Sequence, residues 1–345
     1  MNRDHCPRAL PDVAHEILAR IEASARPILV SHIRLDGDAL GSELALAHML
    51  AARGAQPHVV NDGDIPEIYR FLPGASEAGV SPADLRGDYD LAIALDLPTW
   101  NRARAIRAAL PQDLPAVSID HHPPIEHVGQ CEWVDTSMSS VGEMVYLLAR
   151  AGGWSISPDA ATCLYVALVT DTGRFTFSNT TADAMRVAAD LIDLGAAHTL
   201  ITEMLYQHES PALMSLRAEV MQGLKTYAGG RIALMTMTRE LFDRTGVDPI
   251  NTQEMADMPR SVAGAVVGVL LRELDADRRI KVSLRARSGF DIEPVARKCG
   301  GGGHHQAAGC EMAGTLAEVE QTIIAELTAA LARADAGGDE NGAGG

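Results

Sequence analysis

The sequence predicts an α/β fold: an N-terminal, largely parallel sheet with helices on both faces, then a smaller C-terminal mixed-sheet α/β domain. Two observations carry this. In the N-terminal half, short apolar runs alternate with segments of helical period, which implies parallel strands joined by helices. After Gly229-Gly230 the pattern changes to strands flanking a polar turn at Asp275-Ala276-Asp277-Arg278, which reads as an antiparallel hairpin.

Residues 11–24 read as an opening helix, with Val13, Ile17, Leu18 and Ile21 on one face. Pro27–Ser31 is a short buried strand, and His32 opens the loop after it. A helix over Leu40–Arg53 and a strand at His58–Val60 follow. The apolar runs Asp90–Leu95 and Ala116–Ile119 are two more strands, ending at Asp96 and Asp120. Ser140-Val141-Gly142-Glu143 resembles a capping box for a helix through Arg150. A helix from Pro158 to about Val169 delivers Asp171 at its C-terminal end. Helical segments at 182–194 and 198–224 are interrupted by Gln207–Pro211, where the interdomain connection starts. The second domain is expected to contain strand Arg231–Thr236, a helix near Arg239–Thr245, strand Gly264–Leu271, the hairpin turn, strand Ile280–Arg285 and a helix over Leu316–Arg333. The domain boundaries expected are 1–205, a linker at 206–228, 229–333, and a Gly-rich polar tail at 334–345, read as disordered.

The bulk composition excludes several classes. A length of 345 residues suits two domains at about 100–200 residues each. No apolar run approaches the ~20 residues of a membrane span. The N-terminus lacks a basic segment followed by an apolar one, so no signal peptide is read there. The five cysteines are odd in number with no Cys-x-x-Cys pair, which fits a reducing, cytoplasmic setting. A formal charge of −17 argues against coating long nucleic acid. It leaves room for a small phosphorylated ligand held by a few cations in one cleft.

Three acidic segments directly follow a strand: His32 to Asp38, Asp96, and Asp120-His121-His122. The carboxyl ends of parallel strands form a ligand crevice, so these residues converge there. Thr170-Asp171-Thr172-Gly173 joins them from the end of a helix. Carboxylates and imidazoles crowded together repel and desolvate one another unless cations neutralise them. Asp36 and Asp38 lie two apart, and a flexible Gly37 is expected to turn the backbone so that both reach neighbouring ions. Mixed Asp/His ligation favours manganese or another first-row metal over magnesium. Two such ions at ~3.5–4 Å share a hydroxide and hold both sides of an in-line phosphoryl displacement. Taken singly, Asp-x-Asp is more often a solvated turn and a lone Asp a helix cap; the convergence of four segments makes the metal reading. Farther on, Gly300-Gly301-Gly302-Gly303-His304 has the look of a phosphate loop, with consecutive amides aimed at an anion. Lys281, Arg285, Arg287, Arg297 and Lys298 lie near it in sequence. A flexible hinge is the competing reading of the glycine run.

The ordered set His-x-x-x-Asp-x-Asp, Asp, Asp-His-His, Asp-Thr-Gly and Gly-Gly-Gly-His resembles the DHH phosphoesterase superfamily with its DHH-associated C-terminal domain, over residues 12 to 331. In length the chain is similar to the compact NrnA-type oligoribonucleases, or nanoRNases, which also act on 3′-phosphoadenosine 5′-phosphate. The resemblance implies that His32 and Asp36 bind one metal, Asp38, His121 and Asp171 a second, and Asp96 both. It implies that Asp120 orients His121 and that His122 faces the scissile phosphate. Ser283, Arg285, His304 and the amides of Gly301, Gly302 and Gly303 would hold the substrate's other phosphate or terminus. Two divalent ions, with Mn2+ favoured, are implied as cofactors. The implied substrate is a short oligonucleotide or nucleotide bisphosphate, with a homodimer and no membrane partner. Alternatives are a hydrolase of linearised cyclic dinucleotides of the pApA type, a family II-like inorganic pyrophosphatase, and a non-catalytic nucleotide sensor. Leu35 departs from the proline common before the first aspartate, and His305 from the lysine common after Gly-Gly-Gly-His.

Overall fold

The computed structural model describes residues 9–338 except 79–81, 83–84, 86, 208, 275–278 and 288. The hairpin turn expected at Asp275–Arg278 and the tail beyond residue 338 lie outside the described residues. The chain divides into two compact units, Met1–His208 and Glu209–Gly345.

In the first unit, β1 (Pro27–Val30), β2 (His58–Val60), β3 (Leu91–Leu95), β4 (Ala116–Asp120) and β5 (Cys131–Val134) form one sheet in the order β2-β1-β3-β4-β5. Every pairing is parallel. The expected parallel sheet is therefore present, with β5 as an additional edge strand. Alternate residues feed opposite faces. Leu29, Leu91, Ile93 and Leu95 enter one core with α1 (Asp12–Ala23), α2 (Gly37–Ala52), α4 (Val141–Ala151) and α5 (Pro158–Asp171). Ile28, Val30, Ala92 and Ala94 enter a smaller one with Ile106 of α3 (Arg104–Ala109) and Leu110. The two helices α6 (Ala182–Asp193) and α7 (His198–Tyr206) complete the unit. Strand order reverses between β1 and β3, which makes their carboxyl ends the switch point where open α/β sheets bind ligands.

Helix α2 starts earlier than the apolar period suggested, because Asp36 caps it by accepting from Ala39 N at 2.9 Å. Gly37 is thereby the first helical residue, not a flexible link. Its glycine is required for packing: a Cβ there would lie 2.4 Å from Thr170 Oγ1 of α5. Gly41 repeats this one turn on, against the Cys163 carbonyl at 2.5 Å.

The second unit opens with α8 (Pro211–Gln222), a helix separate from α7 because Ser210 caps it and Pro211 fills its first position. Its sheet runs β10-β11-β9-β8-β7-β6, from β6 (Lys225–Tyr227), β7 (Ile232–Met237), β8 (Val267–Glu273), β9 (Arg279–Ala286), β10 (Gly302–Gly303) and β11 (Ala307–Ala313). Only β7 and β8 pair in parallel, so the sheet is mixed as expected. Helix α9 (Arg239–Thr245) links β7 toward β8. On one face, α10 (Glu293–Lys298) and α11 (Leu316–Gly338) pack through Val295, Val319, Ile323 and Leu327. Helix α11 continues past Arg333 to Gly338.

Among the described residues, no helix is long and apolar enough to cross a membrane.

Candidate metal centre

His32, immediately beyond β1, is only 2% exposed. Its Nδ1 sits 2.9 Å from the Ile33 carbonyl, and a carbonyl only accepts, so Nδ1 carries the proton. Its Nε2 is thus turned to two carboxylates, Asp96 Oδ2 at 3.2 Å and Asp36 Oδ2 at 3.5 Å. Asp36 spends Oδ1 on capping α2, which leaves Oδ2 for this contact.

Asp38 is the second residue of α2, in its first turn, and is buried. Its carboxylate accepts from Val141 N at 2.7 Å, Gly142 N at 2.9 Å and Ser42 Oγ at 3.2 Å. The first two are unpaired amides of the N-terminal turn of α4, a natural anchor for an anion. Gly142 permits the approach: a Cβ there would meet Ala167 Cβ at 2.4 Å.

Asp96 directly follows β3 with a left-handed φ of 54°. Among the described residues, four of the five non-glycine residues with positive φ flank the cluster: Arg34, Asp96, Arg174 and Phe175. Each such backbone costs about 1–2 kcal/mol. Strain concentrated in the loops after β1, β3 and α5 fits a site whose side-chain directions outrank local comfort. The two oxygens of Asp96 face different neighbours, Oδ2 toward His32 and Oδ1 toward His122 Nδ1 at 3.0 Å and His121 Nε2 at 3.9 Å.

His121 mirrors His32. Its Nδ1 faces the Met138 carbonyl at 3.4 Å. Its Nε2 faces Asp171 Oδ2 at 3.4 Å, Asp38 Oδ2 at 3.8 Å and Asp96 Oδ1 at 3.9 Å. That nitrogen is buried without a hydrogen-bond partner. A buried nitrogen ringed by three carboxylate oxygens, bonded to none, is an arrangement of donors that fits a shared cation.

Asp120 meets His122 rather than His121: its Oδ1 accepts from the backbone N of His122 at 2.8 Å and lies 2.9 Å from His122 Nδ1. As the last residue of β4, Asp120 has the next-but-one backbone N–H and imidazole within reach, an Asx-type turn. The Met138 carbonyl takes the orienting part at His121 instead.

Electrostatics supports cation binding. Burial and the neighbouring Asp96 raise Asp38 well above the carboxylate range, and burial with Asp96 and Asp36 does the same to Asp171. Burial opposes a charge on His32, yet hydrogen bonds with Asp36 and Asp96 raise it to about 10. His122, likewise buried, is raised to about 11 by Asp120 and Asp96. Burial would lift Asp96, but His122 and His32 hold it low. His121 is lowered, chiefly by burial. The cluster retains protons in place of positive charge it otherwise lacks. Three triads each have ligand atoms within 4.8 Å of one another: His32–Asp36–Asp96, Asp38–His121–Asp171 and Asp96–His121–His122. The donor set therefore fits divalent cations of mixed nitrogen and oxygen preference.

Two neighbours escaped the sequence reading. Asn179 Nδ2 donates to the carbonyls of Ser139 at 2.9 Å and Asp171 at 3.1 Å, pinning the loop that carries Asp171. Glu43, fully buried on α2, is pushed by burial to about 8 and accepts from Asn61 Nδ2 at 3.1 Å. Neither stands in a pattern that sequence alone distinguishes from a loop amide or a helix-surface carboxylate.

The second unit places Ser283 and Arg285 on the same face of β9, with Arg285 Nε 3.6 Å from Asp257 Oδ1. His304 follows β10 and is exposed. The glycine run differs from expectation. Gly300, at φ 80°, and Gly301 cap α10, their amides donating to the Arg297 and Ala296 carbonyls at 3.0 and 2.9 Å. This is a Schellman motif. Gly302 and Gly303 pair with Gly309 and Ala308 as β10. A Cβ on Gly301 would meet the Gly309 carbonyl at 2.0 Å. Helix capping and close strand approach thus account for the glycines, and the Gly301 amide is committed to Ala296 rather than offered to a phosphate.

Residues 27–168 match the DHH family, N-terminal domain, and residues 229–333 match the DHHA1 domain. The bifunctional oligoribonuclease and PAP phosphatase NrnA of Thermus thermophilus is 31% identical over 321 residues, covering 92% of this chain and 94% of that protein. Its namesake in Bacillus subtilis is 28% identical over 300 residues, 86% of this chain and 92% of that one. The crystal structure of an exopolyphosphatase-related protein from Bacteroides fragilis shares the fold, with a TM-score of 0.84 at 24% identity over 92% of this chain and 96% of that one. Motifs, fold and relatives agree that this chain belongs to the DHH family, in the form that carries a DHHA1 domain after the DHH domain.

Proposed function

We propose that this protein is a metal-dependent phosphoesterase that cleaves very short RNAs, dinucleotides above all, to nucleoside monophosphates. We further propose that it converts 3′-phosphoadenosine 5′-phosphate to AMP. One observation carries the reading: two ligand triads, His32–Asp36–Asp96 and Asp38–His121–Asp171, abut through Asp96, whose two oxygens face His32 and His121. The names of the Thermus thermophilus and Bacillus subtilis relatives supply the substrate class.

In this reading each triad holds one divalent ion, with manganese favoured by the His/Asp mixture. Bound cations would neutralise phosphate charge and activate a water for attack on phosphorus. The chain's own residues do the rest. Asp96 holds the two sites at a fixed spacing. The amides of α4 keep Asp38 in place, and the Ile33 and Met138 carbonyls set the two imidazoles with Nε2 inward. Asp120 fixes the ring of His122, so any stabilisation of the scissile phosphate by His122 comes from Nε2. Ser283, Arg285 and His304 are proposed to bind the rest of the substrate. The glycine run shapes that surface through its backbone. The working boundaries are a DHH catalytic domain over 1–205, a linker region over 206–228, the DHHA1 domain over 229–333 and a short tail. The setting proposed is a homodimer in the cytoplasm.

The test is one purified sample with Mn2+, assayed against an RNA dinucleotide, 3′-phosphoadenosine 5′-phosphate, linear pApA and pyrophosphate. Release of mononucleotide from the first two, abolished by EDTA and restored by Mn2+, is the expected result. Rapid pyrophosphate hydrolysis with inert dinucleotide, or tight binding without turnover of any of the four, would overturn the proposal.

A further inference from the structure

We propose a second ligand site on the first unit: a cleft between Trp100, Arg104 and Arg107 that binds a phosphorylated nucleoside. Binding there is independent of the metal centre; only its use by longer RNA rests on the phosphoesterase reading.

The cleft lies on the sheet face covered by the short α3 and the turn Trp100–Arg102 before it. Two adjoining cavities, of about 280 and 600 Å³, share Trp100, Arg107, Leu110 and Gln112. The smaller is floored by Ala92, Ala116 and Val128; the larger opens toward Arg104. The first has the size of a flat ring system, at the lower edge of ligand pockets, which run from ~300 Å³.

Charge separates this region from the rest of the unit. Residues 97–112 contain three arginines and no Asp or Glu, in a chain of net charge −17. Elsewhere in the unit Arg20, Arg53, Arg70 and Arg186 each meet a carboxylate at 2.6–3.0 Å, while Arg150 and Arg174 lie over the rings of Tyr146 and Tyr206. Arg104 instead bonds the Asn101 side chain at 3.2 Å, and the Arg107 guanidinium reaches the Pro111 carbonyl at 3.5 Å and lies over the Trp100 ring, 5.6 Å from its centroid. Neither has a carboxylate at ion-pair distance among the described residues. Two acids of the neighbouring 126–132 segment are committed: Glu126 accepts from Thr99 Oγ1 and Trp100 N, and Glu132 from Val128 N, Gly129 N and His127. Trp100 Nε1 donates to the Val128 carbonyl at 2.8 Å, which fixes the indole by its edge.

An anchored indole beside an apolar floor suits a base, and forked guanidinium donors suit a phosphate. A simple anion would not need the apolar floor, and an apolar ligand would not need arginines held without a carboxylate. The segments that frame the cleft lead toward the metal centre. Ile33 N donates to the Arg102 carbonyl at 2.7 Å, and Ala92 in the floor is four residues before Asp96, roughly 13 Å along the strand. The ligand is either a free nucleoside monophosphate or the distal nucleotide of a longer RNA.

The experiment titrates the full chain in EDTA with AMP and with adenosine, following tryptophan fluorescence. Trp133 and Trp154 are buried, so the response reports Trp100. The variants are Arg104→Glu/Arg107→Glu and the milder Arg104→Gln/Arg107→Gln. Expected are saturable AMP binding, at least tenfold weaker binding of adenosine, and at least tenfold loss of AMP affinity in the charge-reversed variant with its melting temperature retained. No saturable binding, or equal AMP affinity in wild type and both variants, overturns the site. Kinetics with Mn2+ then separates the two sources. A distal-nucleotide role raises KM for a pentanucleotide at least fivefold in the variants, with dinucleotide KM unchanged. A free-nucleotide role makes added AMP alter dinucleotide turnover in wild type but not in the variants. Absence of turnover in wild type defeats the phosphoesterase reading alone, since the titration still decides the site.

Discussion

Raising the pH of the metal-free protein should destabilise it, and Mn2+ should remove the effect. His32 is buried and its pKa rises from 6.5 to about 10 on folding; that of His122 rises to about 11. A raised histidine contributes stability that is fully present below the unfolded pKa and lost as pH climbs through the folded one. Asp38 and Asp171, raised well above 3.8, and Glu43, raised to about 8, act in the same direction. His121 and Asp96 are shifted down, so their windows lie below about pH 6.5 and about pH 4 and do not oppose the trend at alkaline pH. Each extra proton held by the folded state is worth about 1.4 kcal/mol per pH unit. From about pH 7 to about pH 8.5 one such group therefore removes roughly 2 kcal/mol. For a unit of this size that lowers Tm by about 4–8 °C. Bound cations displace these protons, so saturating Mn2+ should flatten the slope. Calorimetry at the two pH values, in EDTA and in Mn2+, measures both. His32→Asn should reduce the metal-free slope by up to one proton. A metal-free Tm that stays level or rises over this range would refute the reasoning, as would an unchanged slope in His32→Asn.

Asp96→Ala should lower kcat at least 1000-fold by order of magnitude, with the fold intact by circular dichroism, because Asp96 joins the His32–Asp36 pair and also faces His121 Nε2 of the other triad at 3.9 Å. Asp120→Ala should lower kcat roughly 10–100-fold with metal content unchanged by elemental analysis, since it orients His122 and not His121. Gly142→Ala places a methyl 2.4 Å from Ala167 Cβ and should cost about 1–3 kcal/mol in chemical denaturation. Gly300→Ala, at φ 80° in the α10 cap, should cost about 1 kcal/mol in the same measurement, with dinucleotide kcat unchanged if the glycine run serves the backbone.

Apolar runs that end on an acidic residue made β3, β4 and the position of Asp96 and Asp120 readable, because a buried parallel strand leaves its mark in four or five consecutive side chains. The edge strand β5 was not readable: Cys131-Glu132-Trp133-Val134 is only half-buried, and Glu132 inside it looks like a loop residue. The purpose of Gly37 was hidden for another reason. Its constraint comes from Thr170, far away in sequence, and only the packing of α2 on α5 brings them together. The pairing of Asp120 with His122 rather than His121 depends on how the chain turns after β4, which adjacent histidines do not encode. The glycine run was legible as a place of backbone necessity but not as a helix cap, since a Schellman pair and a phosphate loop use the same residues.

Anomalous diffraction from crystals grown with Mn2+ tests the central claim most directly. The account predicts two peaks per chain, one among His32, Asp36 and Asp96 and one among Asp38, His121 and Asp171. Density at neither triad, or manganese bound only outside them, would contradict it.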